Sequence, residues 1–119
     1  MNWFLAKIVY RIICGDGDHT PQFDEQLRLI AAADDQEAFR RASSIGSQEE
    51  DCFYNNSEKL VQWKFVNVPE LYRIAELIDG AELYSRIEEK DNGELYTELV
   101  HKKAASLELN TIYHFLQPS

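Results

Sequence analysis

Near its N-terminus the chain reads NWFLAKIVYRIIC, from Asn2 to Cys14. From Phe4 onward the even positions of this stretch carry only apolar side chains or cysteine, whereas the odd positions include Lys7 and Arg11. Alternation with a period of two is typical of a β-strand, and a mixed second face is typical of an interior strand with one covered and one partly wet face. The sequence therefore predicts a long strand here.

A turn and a second alternating run follow this strand. Residues 15–21 read GDGDHTP, which is rich in residues that adopt positive φ or fix a turn. A second alternation follows in Phe23, Glu25, Leu27, Leu29 and Ala31. We expect the two strands to pair as an antiparallel hairpin.

A helix is predicted over about 35–45. Asp34 stands where an N-cap residue should, and Glu37 lies at capping-box spacing from it. An apolar stripe at helical spacing follows, made of Ala38, Phe39, Ala42 and Ile45. Gly46 is expected to end the helix, because glycine is the usual residue just past a helix C-terminus.

The middle of the chain predicts two further strands. Residues 52–54 form a short apolar run before a turn at 55–57, and residues 60–68 alternate again. Pro69 cannot donate a ladder hydrogen bond, so it should lie at an edge position, a bulge or a strand end. Residues 70–78 fit a strand or a short helix, and the strand is favoured.

Asp79 and Gly80 signal a turn, and residues 81–88 alternate like a fifth strand. Residues 94–106 carry apolar side chains at helical intervals and predict a second helix. The stretch 107–116 is apolar almost to the end of the chain. Chain ends are usually polar, so this tail should dock, either on its own core or on a second copy.

These elements predict one α+β domain spanning residues 1–119, with 107–119 as a docked C-terminal tail. The expected architecture is an antiparallel sheet of four to five strands packed with two helices, in the order strand-strand-helix-strands-helix. Ferredoxin-like relatives and small α+β barrels both fit this order.

The chain is acidic, with 12 lysines and arginines against 21 acids and a net charge of −9. Such a surface repels nucleic acids and anionic membranes and favours encounter with a basic protein. The apolar N-terminus is too short and too often interrupted by charge to be a membrane span or signal peptide. We expect a cytoplasmic protein with Cys14 and Cys52 reduced, although a disulfide between them stays open.

Asp16, Asp18 and His19 form the most site-like cluster of candidate metal ligands in the sequence. An EF-hand loop starting at Asp16 fails, because Pro21 takes the place of its glycine and Leu27 that of its final glutamate. The alternative is a hairpin loop that satisfies its own backbone. No catalytic motif, cofactor site or other metal site is expected, and His101 and His114 are interpreted as surface or half-buried histidines.

Aromatic side chains on strands belong either to the core or to a ligand groove or partner interface. Two aromatic residues of the apolar tail can serve an interface as well. The candidates for a groove or interface are Trp3, Tyr10, Trp63, Tyr84, Tyr113 and Phe115.

Four stretches resemble a family of small bacterial proteins known as domain of unknown function 4288. They are WFLAKIVY at 3–10, the segment from QLRL at 26–29 to ADDQEA at 33–38, WKFV at 63–66, and DGAELYSR at 79–86. The resemblance covers about residues 3–86. It implies a bacterial cytoplasmic protein with no assigned activity, and it favours the strand interpretation of 70–78.

The leading functional hypothesis is a noncatalytic module for protein interaction or ligand binding that acts as a homodimer. One alternative is an acidic, immunity-type protein that neutralises a basic toxin, because acidity would speed that association. The other is a small metal-dependent enzyme that uses Asp16, Asp18 and His19, which would have to meet in a concave, partly dry site.

Overall fold

The computed structural model describes residues 1–116, and it describes side chains through residue 109. The elements are β1 (Asn2–Cys14), β2 (Gln22–Ala32), α1 (Asp35–Gln48), β3 (Asp51–Tyr54), β4 (Leu60–Ile74) and α2 (Gly93–Leu116). The four strands form one antiparallel sheet in the order β2-β1-β4-β3. The fold is α+β, in the order predicted from the sequence. The chain divides into two compact units, Met1–Ser85 and Arg86–Ser119, and α2 belongs to the second.

The hairpin of β1 and β2 organises the first unit. The two strands pair without interruption from Asn2 opposite Ala32 to Ile12 opposite Gln22. This pairing confirms the antiparallel hairpin. The alternation along β1 places its even positions on one face, where they form most of the buried core.

Helix α1 covers that face of the sheet. Its small buried side chains, Ala38 and Ala42, allow the helix to approach the strands closely, and the core they share contains Phe4, Ala6, Ile8, Tyr10, Ile30, Ala32 and Val68. Burying a large apolar side chain contributes about 1.5–3 kcal/mol, so this single layer supplies most of the driving force for folding the first unit.

The start of α1 is capped as predicted. The Asp34 side chain accepts a hydrogen bond from the backbone N–H of Glu37 at 2.9 Å, and the Glu37 carboxylate accepts one from the N–H of Ala33 at 2.8 Å. The predicted end is wrong, because α1 continues through Gly46 to Gln48. Glycine is required there for a different reason, which is that the ring of Phe65 lies directly against it.

Strand β4 is longer than predicted and contains Pro69. The register with β1 shifts by one residue between Lys7 and Val9 and again between Val9 and Tyr10. Pro69 therefore lies at a bulge, which was one of the three positions expected for it. The strand continues only to Ile74, so the strand interpretation of 70–78 is confirmed for its first half and wrong for its second.

The fifth strand predicted over 81–88 does not form. The turn at Asp79 and Gly80 is present, with Gly80 at a φ of +82°. Beyond it the backbone pairs with no described strand. An alternating sequence allows the side chains of one face to pack on an apolar surface, and Tyr84 packs edge-on against Tyr72 at 5.2 Å. The alternation alone does not supply a neighbouring strand for backbone hydrogen bonds.

The second unit is dominated by α2, which runs ten residues past the helix predicted over 94–106. Asn92 caps it by accepting hydrogen bonds from the N–H of Leu95 through its side chain and from that of Tyr96 through its backbone. Residues 107–116 of the predicted tail are therefore helical. Leu107 and Leu109 are exposed. No helix in the described part of the chain is long and apolar enough to cross a membrane.

Candidate functional site

Within residues 1–85, α1 packs on one face of the sheet and leaves the other partly open. We call this second face the open sheet face. It carries the odd positions of β1 and β2. Phe23 and Leu27 are each 53% exposed, and Leu29 is 47% exposed. These three side chains form an apolar row along β2.

The centre of the open sheet face is polar, with one lysine paired to two acids. The Lys7 amine lies 2.6 Å from the Glu70 carboxylate and 3.8 Å from that of Glu25. The hydrogen bond with Glu70 is the main reason why the pKa of Lys7 is raised, and the charge of Glu25 adds to it. A surface that covers this face would not leave the lysine unpaired.

Strand β2 is also an edge of the sheet. It lies at one end of the strand order and carries no proline between Gln22 and Ala32. An edge strand of this length presents a row of unpaired backbone groups that can pair with another strand. The apolar row and the open edge therefore lie on the same strand.

A cleft lies on the opposite face, beyond the C-terminal end of α1. We call it the aromatic cleft, and it is lined by Tyr10, Arg28, Glu49, Asp51, Phe53 and Trp63. Its volume is about 230 Å³. The rings of Phe53 and Trp63 stack at 5.9 Å with an interplanar angle of 25°.

A chain of hydrogen bonds supports the aromatic cleft from behind. The Asp24 carboxylate accepts from the indole N–H of Trp63 at 3.2 Å and from the amide of Gln26 at 2.7 Å. The Gln26 oxygen accepts from Arg28 at 2.7 and 3.0 Å. Arg28 in turn donates to both carboxylate oxygens of Glu49, at 2.9 and 3.0 Å. This network ties the side chain of Trp63 to the C-cap residue of α1.

The pair of Arg28 and Glu49 predicts a measurable pH dependence. The hydrogen bond from Arg28 holds the pKa of Glu49 below its ordinary value of 4.5, against the opposing effect of burial. A carboxyl group whose pKa is lowered by folding stabilises the native state above its unfolded pKa and loses that contribution as the pH falls through the folded pKa. We expect Glu49→Gln to flatten the loss of stability below pH 4.5, measured by urea unfolding at several pH values.

The matched control for this prediction is Glu76→Gln, because Glu76 is also an exposed acid of the first unit. This variant changes the net charge by the same amount as Glu49→Gln. If both variants change the slope equally, the effect belongs to the net charge and not to the pair.

The six aromatic residues predicted for a groove or interface fall into different environments. Tyr10 is buried and Trp63 is half-buried, and both line the aromatic cleft. Trp3 and Tyr84 are each 37% exposed. Trp3 pairs with Ile74 and Ala31 on the open sheet face. The side chains of Tyr113 and Phe115 lie outside the described residues.

The loop that contains the candidate metal ligands satisfies its own backbone. His19 accepts a hydrogen bond from the N–H of Cys14 through one ring nitrogen and donates to the carbonyl of Thr20 through the other. Asp16 accepts from the N–H of Asp18 at 3.0 Å. Among the residues with described side chains, no three His, Cys, Asp or Glu residues are arranged to hold a metal ion.

The two cysteines are free thiols in different settings. Cys14 is half-buried and its sulfur accepts a long hydrogen bond of 3.7 Å from Asn55. Cys52 is exposed on β3. A strand of four residues at the sheet edge does not cover its own side chains. His101 is an exposed residue of α2, as predicted.

Comparison with known protein families gives a match for the first compact unit. Residues 3–85 match the family described as Domain of unknown function (DUF4288). The chain belongs to the DUF4288 family. The match ends where the first compact unit ends, so the DUF4288 region corresponds to the sheet with α1. No curated protein and no solved structure matches the chain.

Sequence reasoning missed most of the aromatic cleft of this DUF4288 protein. Asp24, Arg28 and Glu49 are brought together by the register of β2 with β1 and by the length of α1. The one available signal was the run of polar residues at even positions of β2, opposite the apolar row. That run indicates a polar patch on the same face as the core, beyond the reach of the helix.

Proposed function

We propose that this DUF4288 protein is a noncatalytic interaction module that forms a homodimer through the open sheet face and the free edge of β2. The observation that carries the proposal is the apolar row of Phe23, Leu27 and Leu29 on an edge strand. Apolar side chains exposed along a long edge are a liability unless something covers them. A second copy provides an equally apolar, equally unpaired edge.

The symmetry of β2 suits this arrangement. Leu27 is the middle residue of Gln22–Ala32, so two antiparallel copies of β2 related by a two-fold axis near Leu27 would pair along their whole length. Phe23 would then approach Ala31 of the partner, and Glu25 would approach the partner's Leu29. No acid would stand directly opposite the same acid.

The setting we propose is a reducing, cytoplasmic one in a bacterial cell. The free thiols of Cys14 and Cys52 support it, because such thiols persist where disulfides do not form. The metal-enzyme hypothesis gains no support from the described residues, since both ring nitrogens of His19 are already bonded.

Light scattering on purified protein tests the dimer. We expect twice the 13.8 kDa chain mass for the wild type and the single-chain mass for Leu27→Lys, because the new charge lies in the middle of the proposed interface. Circular dichroism confirms that the variant is folded. Leu109→Lys is the control, since Leu109 is exposed on α2.

Two results would overturn the proposal. One is a wild type that stays monomeric at the highest soluble concentration. The other is a dimer that survives Leu27→Lys and is lost in Leu109→Lys, which would assign self-association to α2.

A further inference from the structure

The charges around the aromatic cleft do not balance. Glu49 and Asp51 line the cleft, and Asp24 lies behind it on the indole N–H of Trp63; these three carboxylates stand against the single guanidinium of Arg28 and leave a net charge of −2. Arg28 is engaged by both oxygens of Glu49. The hydrogen-bond donors to Asp24 are an indole and an amide, and the donor to Asp51 is the backbone N–H of Cys52, so neither carboxylate accepts a hydrogen bond from a basic side chain within the described residues.

The aromatic walls complement that charge. The stacked rings of Phe53 and Trp63 offer a π surface, and Phe53 is 46% exposed. An aromatic face beside uncompensated carboxylates is the arrangement that attracts ammonium and guanidinium groups. The pKa of Tyr10 at the floor of the cleft is raised, first by burial and then by the charge of Glu49, which agrees with a negative local potential.

The size of the cleft limits the occupant. Pockets that enclose whole small molecules usually measure about 300–1,000 Å³ and bury most of the ligand. The aromatic cleft is smaller, at about 230 Å³. The cleft has room for the end of one side chain, while the rest of the molecule that carries this side chain stays outside.

The neighbouring edge of the sheet is suited to a polypeptide that carries such a side chain. Strand β3 carries Asp51 and Phe53 and is the second edge of the sheet, so its outer backbone groups face away from β4. A chain that approaches this edge can form backbone hydrogen bonds while one of its side chains enters the cleft.

From these observations we propose that the aromatic cleft binds the guanidinium group of an arginine on a basic protein partner. The planar guanidinium stacks on Phe53 and Trp63 and donates hydrogen bonds to Asp51. The net charge of −9 steers the basic partner toward this protein. The proposal goes beyond the homodimer, since the cleft lies on the face of the sheet opposite to the open sheet face.

Nuclear magnetic resonance titration of the full chain with an oligo-arginine peptide tests the proposal. The chain has two tryptophans, and Trp3→Phe assigns the remaining indole N–H signal to Trp63. We expect the Trp63 signal to move and the Trp3 signal to stay. Oligo-lysine should bind more weakly, because ammonium groups stack less well on aromatic rings.

Three variants separate recognition from general attraction. Phe53→Leu keeps an apolar side chain but removes the ring, and should weaken binding about two- to fivefold. Asp51→Asn should weaken it by up to about fivefold. Asp18→Asn, in the exposed loop after β1, changes the net charge equally and should leave the affinity unchanged.

The proposal is overturned if Asp18→Asn weakens binding as much as Asp51→Asn does, since the attraction is then nonspecific. It is equally overturned if the Trp63 signal does not respond. Blocked free arginine that binds as tightly as the peptide would assign the cleft to a small guanidinium compound and remove the protein partner.

Discussion

Replacing Gly46 with alanine is expected to lower the free energy of unfolding by about 1–3 kcal/mol. In an exposed helix interior the same change stabilises by about 1 kcal/mol, because alanine is the better helix former. Here an added Cβ would lie 2.4 and 2.5 Å from two carbons of the Phe65 ring, closer than real contacts of this kind. That ring packs edge-on against Tyr10 at 6.1 Å, so it cannot move aside freely. The steric cost should outweigh the gain in helix propensity.

The double variant Gly46→Ala, Phe65→Leu isolates the contact. If the clash is the cause, Gly46→Ala should cost much less in the Phe65→Leu background than in the wild type, as measured by urea unfolding of all four proteins. A stability increase in the single variant would mean that α1 does not pack this closely on β4.

Replacing Tyr10 with phenylalanine should cost about 1–3 kcal/mol of unfolding free energy. The Tyr10 hydroxyl is buried and donates a hydrogen bond of 2.9 Å to the carbonyl of Gly46. That carbonyl belongs to the last turn of α1, where carbonyl groups lack partners within the helix. Phenylalanine fills the same space but leaves the carbonyl without this donor. Chemical denaturation of both proteins at neutral pH measures the difference.

A matched control and a pH series sharpen this prediction. Tyr54→Phe removes a hydroxyl from a residue that is 72% exposed, and should change stability by less than about 0.5 kcal/mol. Burial raises the pKa of Tyr10 above its ordinary value of 10.0, so above that pH the unfolded chain ionises first and native stability falls. Tyr10→Phe should lose part of this alkaline slope. An unchanged slope would contradict the buried environment of the hydroxyl.

The sequence was sufficient for the elements whose periodicity is strong. The alternation of β1, the second run up to Ala31 and the capping pattern at Asp34 each follow from local chemistry, and all three are present in the structure. The turn at Gly80 is equally local. Such features depend on residues that are close in the chain, so one sequence is enough to predict them.

Features that depend on distant contacts were not accessible in this way. In the sequence Gly46 resembles a glycine that ends a helix. The residue that requires a glycine there is Phe65, which lies on another element, so the local sequence does not reveal it. Residues 81–88 have the pattern of a strand, but pattern alone cannot tell whether a free sheet edge lies alongside. The carboxylates of Asp24 and Glu49 meet at the cleft only after β2 and α1 have packed on the same face.

The two bulges in β4 have a consequence for how this chain can change in length. Val61, Trp63 and Phe65 share the face of α1, and after the bulges Leu71 again pairs with a residue of that face, Ala6. One bulge reverses the alternation, so that Val68 is buried, and the other restores it. Each bulge places one extra residue of β4 opposite β1, so the loss of one residue between 66 and 69 can remove a bulge while Glu70 and Leu71 keep their partners Lys7 and Ala6. This segment should therefore tolerate the loss of one or two residues without turning the later side chains over.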